Sequence, residues 1–150
     1  MAGTTLEQEH GGRGQAFPRD ELVDNLVSYA RGTNLGSDPV AQQGTMESII
    51  DAHRNTLLAK RTYWMYQNRM PIQSEANIAN VHNRYYGLRN VTRIRDVMGP
   101  YALLDTREPG APHGGAQEVR QRGGVGQAHG GGSSNIAKVI LARRIGISRT

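Results

Sequence analysis

The side chains of this chain that could do chemistry are few and scattered. The five imidazoles are His10, His53, His82, His113 and His129. None sits in a His-Glu-x-x-His frame, and with no cysteine in the sequence there is no thiol nucleophile, disulfide or Cys-based zinc site. Asp51-Ala52-His53 brings an acid and an imidazole together, but no third group completes a triad. The tripeptide His-Gly-Gly recurs at 10–12, 113–115 and 129–131. Histidines on flexible tails can take up metal, yet these glycine-rich segments leave nothing to hold them at ligand geometry. Gly123-Gly124-Val125-Gly126 precedes no strand-turn-helix and makes a weak phosphate loop. The phosphate-loop and nucleophile-elbow signatures are absent. The expectation is therefore no catalytic residue, no cofactor, no metal and no enzyme.

Binding chemistry is better represented. Sixteen of the 18 cations are arginine, whose planar fork suits carboxylates and phosphates. Tyr63, Trp64, Tyr66, Tyr85 and Tyr86 gather near Arg61, Arg69 and Arg84. Aromatics beside arginine can stack bases and neutralise phosphates, and the same residue types dominate protein–protein hot spots. Arg61, Tyr63, Tyr66, Arg69, Arg84 and Tyr86 are thus the candidate nucleic-acid or interface contacts, with Trp64 expected to face the core. Arg122-Gly123-Gly124 and Gly12-Arg13-Gly14 resemble fragments of RGG-type RNA-binding tails, two units where such tails have many. At the far end, Ile136, Val139, Ile140, Leu141, Ile145 and Ile147 alternate with basic residues including Arg143 and Arg144. This segment reads as a partner-binding anchor. It can add a strand to a neighbour's sheet, lie as a helix in a groove, or fold back on its own chain.

The elements that would position these residues are helical. Asp20 can cap a helix over 20–31, ended by Gly32. Thr45 can cap a second, and Met46, Ile49, Ile50, His53, Leu57 and Trp64 follow at helical spacing up to Met70, before Pro71. A third runs from Ser74 to Met98 with Ile78, Val81, Tyr85, Leu88, Val91, Ile94 and Met98 as its stripe, stopped by Gly99-Pro100. The short Pro71-Ile72-Gln73 connection folds the two long helices into an antiparallel hairpin of about 36 Å. Folding about position 72 pairs Ile50 with Ile94, His53 with Val91, Leu57 with Leu88 and Trp64 with Val81, stripe against stripe.

Residues 1–19 read as a polar arm and residues 105–135, with nine glycines, as a linker to the 136–150 anchor. The front of the chain is acidic, while the hairpin and the last stretch are basic, within a formal net charge of +5. No apolar run is long enough to span a bilayer, and no apolar signal segment opens the chain. The fold class expected is mainly α: a hairpin over about 45–70 and 74–98, one short N-terminal helix, and extended arms. A helical hairpin leaves one side uncovered, which points to partners: copies of the chain or other proteins of a large assembly, with nucleic acid as a further candidate and no membrane. The function expected is a non-enzymatic assembly subunit in the style of a virion component, located in a virion or host cytoplasm. The alternative is an Arg-rich RNA- or DNA-binding protein.

Overall fold

A computed structural model describes residues 20–127 and 134–147. Their secondary structure is helical throughout, as expected: α1 (Glu21–Gly32), α2 (Pro39–Gln67), α3 (Glu75–Met98), α4 (Ala116–Gln127) and α5 (Ser134–Arg144), with short 3-10 turns at Asn34–Ser37, Gly99–Leu103 and Pro112–Gly115. The arm 1–19, and with it Phe17-Pro18, His10 and the Gly12-Arg13-Gly14 unit, lies outside the described residues, as does His129.

Local chemistry sets the helix ends. The Asp20 carboxylate accepts the N–H of Leu22 at 3.1 Å and caps α1. α2 begins six residues before Thr45, because Asp38-Pro39 is itself a start signal: Asp38 accepts the N–H of Val40 at 3.1 Å and proline fills the first helical position. Thr45 is instead interior, its hydroxyl donating to the Ala41 carbonyl at 2.7 Å. At the start of α3 the Glu75 carboxylate accepts the N–H groups of Gln73 and Ser74 at 3.1 and 3.2 Å. These backbone donors, its own N–H first among them, hold the Glu75 carboxyl below its ordinary range, with Arg61 adding to the effect.

α2 and α5 end in the same way. Met70 N–H bonds to the Met65 carbonyl and Arg69 N–H to that of Tyr66, while Ile147 bonds to Ala142 and Gly146 to Arg143. Both are Schellman motifs, with the left-handed position filled by Gly146 at φ 79° in one and by Arg69 at φ 52° in the other.

The described residues form two compact units, one of residues 20–53 and 86–127 and one of residues 54–85 and 134–147. The first holds the apolar core: Leu26, Ile94, Met98 and Ala102 are buried together, with Leu22, Tyr29 and Val97 packed against them. Tyr86 is buried in this unit and donates its hydroxyl to the second oxygen of Asp20, while Asn90 donates to the same hydroxyl at 3.2 Å. Burial, then the Asp20 hydrogen bond, push the Tyr86 phenol well above its ordinary value. Gln117 of α4 donates to the Val91 carbonyl at 3.1 Å, fastening α4 to α3. At Gly115, φ is 74° and an added Cβ would lie 2.7 Å from the Thr106 nitrogen, so only glycine fits.

The pairing of the long helices differs from the expected rungs. The inward face of α2 runs through Gly44, Ser48, Asp51, Asn55, Leu58, Thr62 and Met65, all buried or half-buried. The stripe Met46, Ile50, His53, Leu57 and Trp64 is exposed. Its positions are offset by two residues from the inward face, about 200° around the helix. Small and polar side chains let the backbones approach. An added Cβ at Gly44 would lie 2.7 Å from Val97 Cγ2, and Arg93 bridges Glu47 and Asp51, each at 3.1 Å. Ile94 therefore faces the α1 core rather than Ile50, and His53 and Trp64 are not core residues.

The stretch 105–135 also holds more structure than its glycines announce. α4 incorporates Gly123, Gly124 and Gly126, with open space around each.

Candidate functional site

The unit of residues 54–85 and 134–147 collects most of the binding candidates. Beside the buried Met65, Ala76 and Ala137 it contains polar contacts. Asn55 donates to Asn83 Oδ1 at 3.1 Å, and His82 Nδ1 lies 3.3 Å from Asn55 Oδ1. Arg84 is buried and its Nε donates to Asn80 at 3.1 Å. Arg61 pairs with Glu75 at 3.7 Å across the surface.

The C-terminal segment settles as the helix α5. Ala137 is its buried contact, Ile140 and Leu141 are half-buried, and Ile136, Val139, Ile145 and Ile147 are exposed. The Lys138 ammonium stands 4.6 Å above the Tyr85 ring, and Arg144 donates to the Gln73 carbonyl. Arg143 points to the exposed side of the last turn. The apolar residues of the anchor are thus largely open to solvent although the helix is docked.

The aromatic–arginine cluster is not one surface. Tyr66, Arg61 and Arg69 are exposed and Tyr63 is half-buried, whereas Arg84 and Tyr86 are interior. Tyr86 belongs to the core of the other unit. Trp64, expected inside, is 56% exposed. One signal in the sequence could have found this: Gly44, Ser48, Asp51, Asn55 and Thr62 are small or polar and recur at helical spacing, a close-packing face of their own.

His53 is exposed and His113 sits in the Pro112–Gly115 turn. No group of three or more His, Asp or Glu among the described residues is placed to hold a metal ion. Two cavities in the unit of residues 20–53 and 86–127 have defined linings. One is an open groove of about 490 Å³ between Glu47, Leu88, Arg89, Thr92, Arg93 and Asp96. The other, of about 10 Å³ between Leu22, Asn25, Ile94, Met98, His113 and Gln117, is no larger than a single water needs.

The arrangement defines a helical module with exposed apolar faces. No family model and no curated protein matches the sequence. Solved structures do match the fold. Against the Tcur3481-Tcur3483 steroid ACAD (acyl-CoA dehydrogenase) G363A variant the TM-score is 0.83 at 18% identity, covering 99% of this chain and 40% of that one. The Tcur3481-Tcur3483 steroid ACAD itself gives 0.78 at 17%, covering 87% of this chain and 34% of that one. The ChsE4-ChsE5 complex from Mycobacterium tuberculosis gives 0.78 at 19%, covering 87% and 35%. The chain thus spans two-fifths or less of the solved chains it resembles.

At these identities the likeness shows the fold. That fold is found in subunits of metabolic enzyme complexes, and it corrects the virion-component reading together with its nucleic-acid-binding alternative. It likewise corrects the expectation of a non-enzymatic chain, since the similar structures are enzyme-complex components. Those structures are heteromeric, in keeping with a chain that has protein partners. Among the described residues no helix is long and apolar enough to cross a membrane.

Proposed function

We propose that the chain is a helical component of a heteromeric acyl-CoA dehydrogenase-type complex whose substrate is the CoA thioester of a steroid acid. The observation that carries this reading is the fold likeness at a TM-score of 0.83 over 99% of the chain. Because the chain corresponds to 40% of the similar chain, the activity belongs to the complex. A dehydrogenase needs an electron acceptor. Neither cavity has the build of a site for one: the groove is open and its cations Arg89 and Arg93 are paired to Asp51 and Glu47, and the second cavity is water-sized. No step is assigned to the described residues through such a group. Their part is to hold partner protein, with Ile136 and Val139 of α5 and Ile145 and Ile147 just beyond it, flanked by Arg143 and Arg144, as one contact surface.

The test is co-expression of the full chain with the protein that co-purifies with it, followed by turnover of a steroid acyl-CoA and of octanoyl-CoA with an artificial electron acceptor. Turnover by the complex, and faster turnover of the steroid thioester, is the expected result. A pure, stoichiometric complex that oxidises neither thioester would remove the reading.

A further inference from the structure

Charge is divided unevenly between the two units. Residues 54–85 and 134–147 hold eight Lys and Arg and one acid, Glu75, a surplus of seven positive charges. Residues 20–53 and 86–127 hold ten Asp and Glu against seven Arg. The segments 1–18, 128–133 and 148–150 add Arg13 and Arg149 together with Glu7 and Glu9, and so leave the surplus at seven. Contacts inside the chain do not cancel it. Arg61 meets Glu75 at 3.7 Å, but Lys138 stands over the Tyr85 ring, Arg84 donates to Asn80 and Arg144 to the Gln73 carbonyl, all neutral groups. Whatever the other cations bond to, the excess acids of the other unit number three and are too few to reverse the sign, since the whole chain keeps +5. Like charges at this density repel and weaken a compact state, here one whose buried hydrophobic residues are Met65, Ala76 and Ala137.

Arg69 is an independent sign. It is exposed at the end of α2 with φ 52°, where the matching end of α5 has Gly146. A left-handed arginine carries a steric cost that glycine avoids, so backbone geometry does not account for a cation there.

We propose that the unit of residues 54–85 and 134–147 is a docking surface for an acidic face of a different protein, one that carries apolar side chains between its carboxylates. Net charge decides the occupant. A second copy offers either the same surplus or, from its other unit, an excess of three acids, so association of copies accumulates positive charge, whereas an acidic partner removes it. The exposed Leu57, Trp64, Ile136 and Val139 of the unit favour a protein over a bare polyanion, which has nothing to bury them with. The inference deepens the proposed heteromeric complex and rests on the part of that reading that gives the chain a protein partner.

The full chain is titrated with synthetic peptides, and the emission of Trp64, its only tryptophan, is the signal. The peptides are about 20 residues long, sufficient for stable helix formation: one of glutamate and leucine, one of lysine and leucine, and one of glutamate and alanine, which keeps the charge but lacks large apolar side chains. A single-stranded oligonucleotide is the fourth probe. The glutamate–leucine peptide is expected to bind saturably and at least about tenfold more tightly than each of the others, with affinity falling as salt rises. Arg69→Gly removes one charge and relieves the left-handed conformation, so it should raise the denaturant midpoint yet weaken that peptide about twofold or more. Arg69→Glu with Arg143→Glu should weaken it at least about tenfold, whereas Arg31→Glu with Arg120→Glu, the same change of charge in the other unit, should weaken it less than about threefold. Equal binding of the lysine–leucine peptide, the glutamate–alanine peptide or the oligonucleotide, equal losses in the two double variants, or self-association of the chain that the glutamate–leucine peptide reverses would overturn the proposal. An intact peptide response beside an inactive complex would remove the enzyme reading only. An active complex whose chain ignores the glutamate–leucine peptide would remove this docking surface only.

Discussion

The two units are built from the same two long helices but stabilised by different chemistry. The unit of residues 20–53 and 86–127 encloses Leu26, Ile94, Met98 and Ala102 and seals them with the Tyr86–Asp20 hydrogen bond. In the unit of residues 54–85 and 134–147 the buried hydrophobic residues are Met65, Ala76 and Ala137, of which only Met65 is large. There, Leu57, Trp64, Tyr66, Met70, Ile136, Val139, Ile145 and Ile147 are exposed. Apolar residues are therefore as available to the second unit as to the first, but they point away from it. The first unit exposes apolar residues too, Met46, Ile50 and Leu88 among them; what sets it apart is that it also encloses an apolar cluster.

That contrast can be broken by substitution. The largest expected effects lie in the enclosed unit. Gly115→Ala should cost about 3 kcal/mol or more, since its Cβ meets the Thr106 backbone at 2.7 Å in a left-handed conformation. Leu26→Ala should cost about 2–5 kcal/mol, read as a shift in denaturant midpoint at unchanged slope. Tyr86→Phe should cost about 1–3 kcal/mol by leaving Asp20 and Asn90 without the hydroxyl. It should also change the response to alkali. The folded chain keeps the Tyr86 proton above the ordinary value of 10.0, whereas the unfolded chain releases it there. The contribution is thus complete below about pH 10 and is lost as pH climbs beyond it, so unfolding at rising pH should be less steep in Tyr86→Phe than in the parent. In the open unit, Arg69→Gly should stabilise by about 1 kcal/mol, because glycine carries no Cβ penalty at φ 52°. The smallest effect is expected from Leu57→Ala, within about 0.5 kcal/mol for the free chain. A large loss there would mean that the exposed stripe supports its own unit after all.

Much of the skeleton was legible in the sequence. Pro71 and Gly99-Pro100 bracket α3, and Asp20 announces α1, because these residues act through their own backbone geometry. The face of α2 was not legible in the same way. Periodicity shows that Met46, Ile50, Leu57 and Trp64 lie on one side, but an exposed apolar side has the same period as a buried one. Nor did Gly44, Ser48 and Asp51 look like a packing surface, since close backbone approach and an arginine bridge replace side-chain volume there. α4 was hidden by its glycines, whose weak helix propensity is overcome where Gln117 anchors the helix to the Val91 carbonyl. Arg84 and Tyr86 were read as exposed from a register that the inward face of α2 does not adopt, whereas Arg61, Tyr66 and Arg69 are exposed.

The bond between Tyr86 and Asp20 joins residues 66 positions apart. During synthesis at about 5–20 residues per second, Asp20 is made some ~3–13 s before its partner exists. For that interval Val23, Leu26 and Ala30 have a helix to line but no seat to occupy. The nascent chain thus carries an unshielded apolar segment until α3 has been made and freed from the ribosome, the stage at which a chaperone would find the most to hold.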